Sequence, residues 1–207
     1  MYLFSIIIII NMSSFSIKES PSISPYLEII LGPMYSGKTS QIIELYNKYT
    51  FCNIPIVVIN HPIDTRYHDE LLSSHDKKMI PCIKPTDGKL FTVFDNEELS
   101  TQIYNAQVIL INEGQFFSDL YDFVISMLEY NKKIYIAGLD GDFKRAKFGQ
   151  ILDLIPMCDK VTKLTSLCSS CKDGTPGIFS KRLTTDIEQT VVGSDIYIPV
   201  CRMCYQK

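Results

Sequence analysis

Residues 26–50, YLEIILGPMYSGKTSQIIELYNKYT, carry the most specific fold signal in this chain. Its centre, GPMYSGKT, residues 32–39, matches the pattern G-x-x-x-x-G-K-[ST], in which backbone N–H groups surround phosphate oxygens and a lysine reaches the terminal phosphates. The apolar run 26–31 predicts a strand before this loop, and an apolar stripe at helical spacing follows it. Strand, loop and helix in this order favour a nucleotide-binding P-loop over a chance match in a glycine-containing turn.

Three more apolar runs predict further buried strands, at residues 54–60, 108–112 and 133–139. Such nearly continuous runs are typical of parallel strands that helices cover on both faces. The stretch SDLYDFVISMLEYNKK, residues 118–133, has apolar side chains at helical spacing, with Ser118 as a candidate N-cap. This alternation predicts an α/β fold with a parallel sheet flanked by helices. Ligands are then expected at the carboxyl ends of the strands.

The chain divides into three regions by composition. Near residue 158 the sequence changes to short polar stretches, turn residues and paired cysteines, so we assign a P-loop domain to residues 26–157 and a small zinc-binding domain to residues 158–207. Residues 1–25 are apolar and then serine-rich, and we expect a poorly ordered extension, with a membrane-touching or signal role as the alternative. The apolar part is too short to span a bilayer and has no positively charged start.

The charge balance and the unpaired cysteines limit the class of protein. The chain has 20 basic and 23 acidic residues, and neither sign forms a long run. We therefore expect no nucleic-acid partner and no membrane partner, since both need a basic face. Three single cysteines, Cys52, Cys82 and Cys158, are expected to be inert. Free thiols indicate a reducing compartment, and we predict a cytoplasmic protein.

The other cysteines predict a metal site. Cys168 and Cys171 form one C-x-x-C pair, and Cys201 and Cys204 form a second. Four thiolates complete a tetrahedral shell around Zn²⁺ without an open position, so this zinc is expected to be structural. A redox site needs one such pair, and two pairs around a loop favour a clip. The clip would hold the loop 172–200 at both ends, so that it can close over a small molecule.

A second acidic element follows the predicted strand 108–112. Asn112 occupies the place where most P-loop enzymes carry an aspartate that helps to hold Mg²⁺. Glu113 is then the carboxylate placed to take a proton from an attacking hydroxyl, although a solvated glutamate at a strand end remains an alternative. Lys38 is expected at the β and γ phosphates, and Thr39 is expected to offer its hydroxyl to Mg²⁺.

An ordered set of motifs over nearly all of residues 27–205 resembles the cytosolic-type, zinc-containing thymidine kinases of animals, bacteria and large DNA viruses. In chain order the motifs are GPMYSGKT (32–39), DTRY (64–67), HD (75–76), NEGQFF (112–117), LDGDFKRAKFG (139–149), KLTSLCSSC (163–171), SKR (180–182) and VCRMCY (200–205). The resemblance implies a RecA-like P-loop sheet with a zinc-ribbon or lasso domain. It also implies transfer of the γ-phosphoryl group of ATP to the 5′-hydroxyl of thymidine, with Mg²⁺, in the deoxynucleotide salvage that supplies DNA synthesis.

The resemblance also implies the residues of the site. Glu113, Lys38 and Arg66 match the catalytic residues, and Arg66 would meet negative charge on the moving phosphoryl group. The ATP-binding set is Gly32, Pro33, Met34, Tyr35, Ser36, Gly37, Lys38, Thr39, Asp64, Arg66, Asn112 and Gln115. The substrate-binding set is Met34, Phe116, Leu139, Phe143, Phe148, Ser180, Thr190, Val191, Val192 and Tyr197. Within it, Phe148 and Tyr197 would stack on the pyrimidine, and the backbone of residues 190–192 would contact its edge.

By the same resemblance the protein is a homotetramer with dTTP as feedback inhibitor. Two other functions compete with the kinase. Asn112 motivates a catalytically weakened nucleotide-binding regulator. The P-loop and cysteine pairs together would also suit a zinc-ribbon ATPase that acts on nucleic acid, which would bind DNA in a strongly salt-dependent manner.

Overall fold

The computed structural model describes residues 24–64, 71–74, 78–191, 193 and 195–206. The predictions for residues 1–23 of the extension, for Arg66 and for Val192 lie outside these residues.

A parallel β-sheet forms the centre of the α/β fold. In chain order the strands are β1 (Tyr26–Leu31), β2 (Ile56–Asn60), β3 (Leu71–Ser73), β4 (Met79–Pro81), β5 (Val108–Asn112), β6 (Lys133–Gly138), β7 (Lys160–Lys163), β8 (Ser166–Leu167), β9 (Pro176–Gly177), β10 (Phe179–Arg182) and β11 (Tyr197–Val200). The α-helices are α1 (Lys38–Phe51), α2 (Glu97–Asn105), α3 (Leu120–Glu129) and α4 (Arg202–Gln206). Short 3₁₀ helices span Leu90–Asp95, Gly114–Phe116 and Ile151–Met157. The central sheet has the strand order β2-β5-β6-β1-β7, and every pairing in it is parallel.

The predicted α/β class is confirmed, and the four predicted strands are β1, β2, β5 and β6. Strand β2 begins two residues later than predicted, at Ile56, and β6 ends at Gly138. The sheet continues beyond residue 158, where we place the start of the second domain, because β7 pairs with β1. The division into domains itself stays a prediction.

The two faces of the sheet bury separate cores. Along β5, Ile109 and Ile111 face one cluster, which includes Phe123 of α3. The intervening Val108 and Leu110 face the other cluster, with Ile42 and Ile43 of α1. All residues of β5 are buried, as expected for a parallel strand that is covered on both sides. This three-layer packing fixes the carboxyl ends of the strands, from which the site is built.

Ser118 is not the cap of α3, contrary to prediction. The N-cap position belongs to Asp119, and its side chain makes no capping hydrogen bond. The carboxylate of Asp119 instead accepts from the backbone N–H groups of Leu90 and Phe91, at 2.9 and 3.0 Å. The Asp119 carboxylate, which could have capped the helix, is therefore engaged in a tertiary contact instead.

The C-terminal segment forms small antiparallel pairs next to the central sheet. Strand β8 pairs with β9, and β10 pairs with β11. Tyr205 connects this segment to the loop after β6, because its hydroxyl donates to the carbonyl of Phe143 at 2.6 Å. Within the described ranges, no helix combines the length and apolar character needed to cross a bilayer.

Candidate active site

The P-loop after β1 has the backbone needed to surround an anion. Gly37 is the N-cap of α1 with φ 87°, a left-handed conformation that favours glycine. Glycine has no side chain to cap the helix, and the first-turn N–H groups of α1 point toward the loop, as they do at the start of any α-helix. A helix start of this kind binds phosphate through its N–H groups and its positive dipole end. Tyr35 also has positive φ, at 62°, so the loop is held in a tight turn.

Two polar side chains of the loop suit a phosphate ligand. The ammonium group of Lys38 is buried and donates to the carbonyl of Pro33 at 2.8 Å, so it lies folded along the loop. The hydroxyl of Ser36 is buried and has no hydrogen-bond partner among the described residues. Because a buried hydroxyl without a partner is costly, this hydroxyl is suited to donate to a bound phosphate oxygen or to a water.

Glu113 follows β5 directly and has an unusual backbone. Its φ is 55° and its ψ is 40°, the left-handed region, which costs about 1–3 kcal/mol for a non-glycine residue. Its carboxylate accepts from the side-chain amide of Gln115 at 2.7 Å. The carbonyl oxygen of that amide accepts from the backbone N–H of Leu139 at 3.0 Å. These contacts fix which end of the Gln115 amide faces Glu113.

Gln115 needs two glycines around it. A Cβ at Gly138 would lie 2.5 Å from the side-chain oxygen of Gln115, and a Cβ at Gly149 would lie 2.1 Å from its backbone oxygen. Gln115 is buried and does not line the cavity described below. The structure therefore places this predicted ATP-binding residue next to Glu113, where it orients the carboxylate.

One cavity brings the predicted phosphate and nucleoside residues together. From the ATP-binding set it is lined by Met34, Tyr35, Ser36, Gly37, Lys38, Thr39 and Asp64. Glu113 lines the same cavity. From the substrate-binding set it is lined by Met34, Phe116, Leu139, Phe143, Phe148, Ser180, Thr190, Val191 and Tyr197. Gly32, Pro33, Asn112 and Gln115 do not line it.

The aromatic part of the cavity depends on Arg182. This buried guanidinium donates to the backbone carbonyls of Asp186, Glu188 and Gln189 at 2.6 to 3.0 Å, and to the hydroxyl of Tyr197 at 2.6 and 3.0 Å. Its Cζ also lies 3.6 Å from the ring centroid of Phe143. The donors of one arginine thus hold the loop between β10 and β11 against the aromatic wall of the cavity, which consists of Phe116, Phe143, Phe148 and Tyr197.

Ser180 connects the two parts of the cavity. Its hydroxyl accepts from the backbone N–H of Met34 at 2.9 Å, although the two residues are 146 positions apart. Phe116 and Phe148 contact each other edge to face, with ring centroids 5.3 Å apart. The P-loop is therefore in contact with β10 of the C-terminal segment.

Several lining residues are absent from the sets derived from the sequence. They are Ser40, Ile63, Gly141, Asp142, Gln189 and Gly193. Asp142 is buried and accepts from the backbone N–H groups of Lys144 and Ala146, at 2.8 and 2.9 Å, and from the side-chain amide of Gln189 at 2.9 Å. An aspartate that accepts from nearby N–H groups is a common turn signal, so the turn at 142–146 was open to prediction. The contact with Gln189 was not.

The four paired cysteines form a single cluster, as predicted. Their sulfur atoms all lie within 4.8 Å of one another. Cys171 Sγ is 3.7 Å from Cys201 Sγ and 3.4 Å from Cys204 Sγ, much longer than the roughly 2 Å of a disulfide. Tetrahedral Zn–S bonds of about 2.3 Å would separate the sulfurs by about 3.8 Å. The cluster is therefore compatible with zinc.

Backbone donors support the same interpretation. The sulfur of Cys168 accepts from the N–H groups of Cys171 and Cys201, at 3.4 and 3.3 Å. These donors, the Cys171 N–H above all, lower the pKa of Cys168 to about 6. Contact with the sulfur of Cys204 raises the pKa of Cys171 instead. Four thiolates this close need a cation to be stable together.

The chain is similar in sequence to known thymidine kinases. The family model for thymidine kinase matches residues 25–205. The thymidine kinase of Choristoneura fumiferana entomopoxvirus is 38% identical over 192 residues, which cover 87% of this chain and 96% of that protein. The thymidine kinase of Yaba monkey tumor virus is 39% identical over 185 residues, covering 89% and 96%. Thymidine kinase 1 of Dictyostelium discoideum is 36% identical over 180 residues, covering 86% and 77%. This chain belongs to the thymidine kinase family.

Proposed function

We propose that the protein transfers the γ-phosphoryl group of ATP to the 5′-hydroxyl of thymidine and releases dTMP and ADP. One observation carries this proposal: the P-loop, Glu113 and the aromatic side chains line the same cavity. A site that joins a phosphate loop to an apolar pocket suits a nucleoside acceptor. The names of the relatives support thymidine as that nucleoside.

Each residue of the site has a separate role in the proposed reaction. The 5′-oxygen of thymidine forms a bond to the γ-phosphorus, while the bond from that phosphorus to the bridging oxygen of ADP breaks. The proton of the 5′-hydroxyl goes to the carboxylate of Glu113, which Gln115 holds in orientation. Lys38, the first-turn N–H groups of α1 and the hydroxyl of Ser36 bind the phosphates. Arg66 retains its predicted role at the moving phosphoryl group.

Two metals complete the proposal. The hydroxyl of Thr39 and the carboxylate of Asp64 line the cavity, and both are hard oxygen donors of the kind that Mg²⁺ prefers. When bound, Mg²⁺ would supply positive charge beside the phosphates. Cys168, Cys171, Cys201 and Cys204 would hold a structural Zn²⁺.

The aromatic wall would bind the base. Phe148 and Tyr197 would contact the pyrimidine faces, while Val191 and its neighbours would offer backbone groups to the pyrimidine edge. A site that forms hydrogen bonds with the polar groups of a ligand discriminates strongly against analogues that lack those groups. Thymine would thereby be distinguished from cytosine without a charged side chain.

The test is conversion of thymidine to dTMP by the purified protein with ATP and Mg²⁺. Glu113→Gln keeps the shape of the side chain and removes the base, so we expect kcat to fall about 10²- to 10⁴-fold with little change in KM for ATP. Glu98→Gln, at an exposed glutamate of α2, is the control and should leave kcat unchanged. Full activity of Glu113→Gln would remove Glu113 from the mechanism, and no dTMP from the unmodified protein would overturn the function.

Asn112 motivates a second candidate function, a catalytically weakened nucleotide-binding regulator, and the same assay tests it. Such a regulator would bind ATP and form dTMP only weakly in this assay. A homotetramer, inhibition by dTTP and a cytoplasmic location, all implied by the family or by the composition, stay predictions. Sedimentation and a dTTP titration of the same assay measure the first two.

A further inference from the structure

Three polar side chains form a chain of hydrogen bonds at the carboxyl ends of two neighbouring strands. Asn60 and Asn112 are the last residues of β2 and β5, and they are register partners. The side-chain N–H₂ of Asn112 donates to the side-chain oxygen of Asn60 at 3.0 Å. The side-chain N–H₂ of Asn60 donates to the carboxylate of Asp64 at 3.1 Å. We call these three residues the amide relay.

The amide relay is buried, so the loss of any of its hydrogen bonds would lower the stability of the protein. Asn60 is 0% exposed, Asn112 is 1% exposed and Asp64 is 9% exposed. A buried amide that loses its partner cannot turn to water, and each such loss is destabilising. Both amides are therefore committed to the contacts that the structure describes.

The direction of the relay follows from the carboxylate at its end. An ionised carboxylate only accepts hydrogen bonds, so Asn60 must turn its N–H₂ toward Asp64. The oxygen of Asn60 then faces residue 112, which must be a donor. Asparagine satisfies this requirement. An ionised aspartate at 112 would place acceptor against acceptor inside the protein.

The backbone of Asp64 is also fixed. Its N–H donates to the carbonyl of His61 at 3.0 Å, and its own carbonyl accepts from the ammonium group of Lys84 at 2.9 Å. The ring of His61 accepts from the N–H of Ile63 at 3.1 Å. The turn 61–64 therefore presents the Asp64 side chain in one place.

The relay changes which carboxylate serves the nucleotide. Position 112 is where P-loop enzymes commonly carry the aspartate that helps to hold Mg²⁺. Here Asn112 does not line the cavity, whereas Asp64 and Thr39 do. We propose that Asn60 and Asn112 are positioning residues that aim Asp64 at the magnesium of the bound nucleotide, in place of a carboxylate at 112. This inference rests on the proposed function, since the metal would arrive with ATP.

The proposal reverses the simple expectation for Asn112. If the asparagine were only a defect, Asn112→Asp would restore metal binding and raise kcat. If the relay operates, Asn112→Asp breaks it, because Asn60 has one N–H₂ group and would face a carboxylate on each side. The second change Asp64→Asn then repairs the relay with its direction reversed, because the new amide at 64 donates to Asn60 and Asn60 donates to the new carboxylate at 112.

The experiment compares the unmodified protein with Asn112→Asp, Asp64→Asn and the double variant. Two quantities are measured: the thermal unfolding midpoint without nucleotide, and the affinity for Mn²⁺ in the presence of ADP by electron paramagnetic resonance. Asn112→Asp should lower the midpoint by about 2–10 °C, and the double variant should recover most of this loss. Asp64→Asn should keep the midpoint and weaken Mn²⁺ binding about tenfold or more. Asn47→Asp, at an exposed residue of α1, is the control for added charge.

Several outcomes would overturn the inference. An unchanged midpoint together with tighter Mn²⁺ binding in Asn112→Asp would show that the asparagine is only a defect. Unchanged Mn²⁺ affinity in Asp64→Asn would remove Asp64 from the metal site, and a double variant no more stable than Asn112→Asp would remove the reversed relay. Because neither readout requires phosphoryl transfer, the relay can stand when no dTMP forms, and it can fail in an active kinase.

Discussion

The phosphate end and the nucleoside end of the cavity are built in different ways. At the phosphate end, the P-loop, Asp64 and Glu113 each follow a strand of the central sheet within a few residues. At the nucleoside end, the loop between β10 and β11 is held by one buried arginine and by the contact of Gln189 with Asp142, next to the cysteine cluster. The first end takes its rigidity from a buried core, and the second takes it from a few polar anchors. The two ends should therefore fail separately.

The largest difference between the two ends of the cavity is expected when the cysteine cluster is disrupted. Cys171→Ser removes one of the four thiolates, and structural zinc commonly contributes much of the folding free energy of a small metal-bound segment. We expect zinc content to fall from one ion per chain to nearly none and thymidine phosphorylation to fall at least about 100-fold. Binding of ADP, which uses the P-loop, should change little.

Cys52→Ser is the matched control, because Cys52 is exposed and lies outside the cluster. Metal analysis, the kinase assay and ADP titration give the three measurements. Loss of ADP binding together with thymidine phosphorylation would contradict the separation of the two ends.

A smaller effect is expected from the buried arginine. Arg182→Met keeps much of the side-chain length and removes the donors to three carbonyls and to the Tyr197 hydroxyl. We expect KM for thymidine to rise about 10- to 100-fold, which is about 1.4–2.8 kcal/mol and comparable to one hydrogen bond of a charged group, because the contacts of Gln189 and Tyr197 can still hold the loop in part. KM for ATP should stay close to that of the unmodified protein.

Arg145→Met is the control for this change. The Arg145 guanidinium also lies over an aromatic ring, 4.3 Å from the centroid of Tyr205, but the residue is exposed. Equal effects of the two substitutions in the steady-state assay would count against Arg182 as the anchor of the loop.

The phosphate end is tested through Gln115. Gln115→Met has a similar shape and lacks the amide that donates to Glu113 and accepts from the Leu139 N–H. Because the carboxylate then loses its orientation, we expect kcat to fall about tenfold while both KM values stay nearly constant. Gln102→Met, at an exposed residue of α2, should have no effect on kcat. A rise in KM for ATP at constant kcat would instead favour Gln115 as an ATP contact.

The smallest effect is expected where the two ends meet. Ser180→Ala removes the acceptor for the Met34 N–H, and one neutral hydrogen bond is worth about 1 kcal/mol. We expect KM for both substrates to rise about two- to fivefold. Ser180→Thr keeps the hydroxyl and should behave like the unmodified protein. A change in only one of the two KM values would show that this contact does not couple the ends.

Prediction from sequence worked best where the signal is local. The P-loop lies between a strand and a helix that can be recognised from their apolar spacing, and Glu113 lies directly after a buried run. The C-x-x-C spacing likewise identified the cluster. Prediction failed at Ser118, because the capping rule considers only neighbouring residues. The carboxylate of Asp119 instead accepts from the distant backbone N–H groups of Leu90 and Phe91.

The α/β class, the phosphate loop, the position of Glu113 and the cysteine cluster could be predicted from the amino-acid sequence, because each depends on residue types within a short window. The fold was needed to show that the Gln115 amide is held between Glu113 and the backbone N–H of Leu139, and that Asn112 connects through Asn60 to Asp64. Asn60 and Asn112 are 52 positions apart and meet because β2 and β5 are neighbours in the sheet. Strand order depends on how helices and strands distant in the sequence pack around the core, and no short stretch of sequence specifies it.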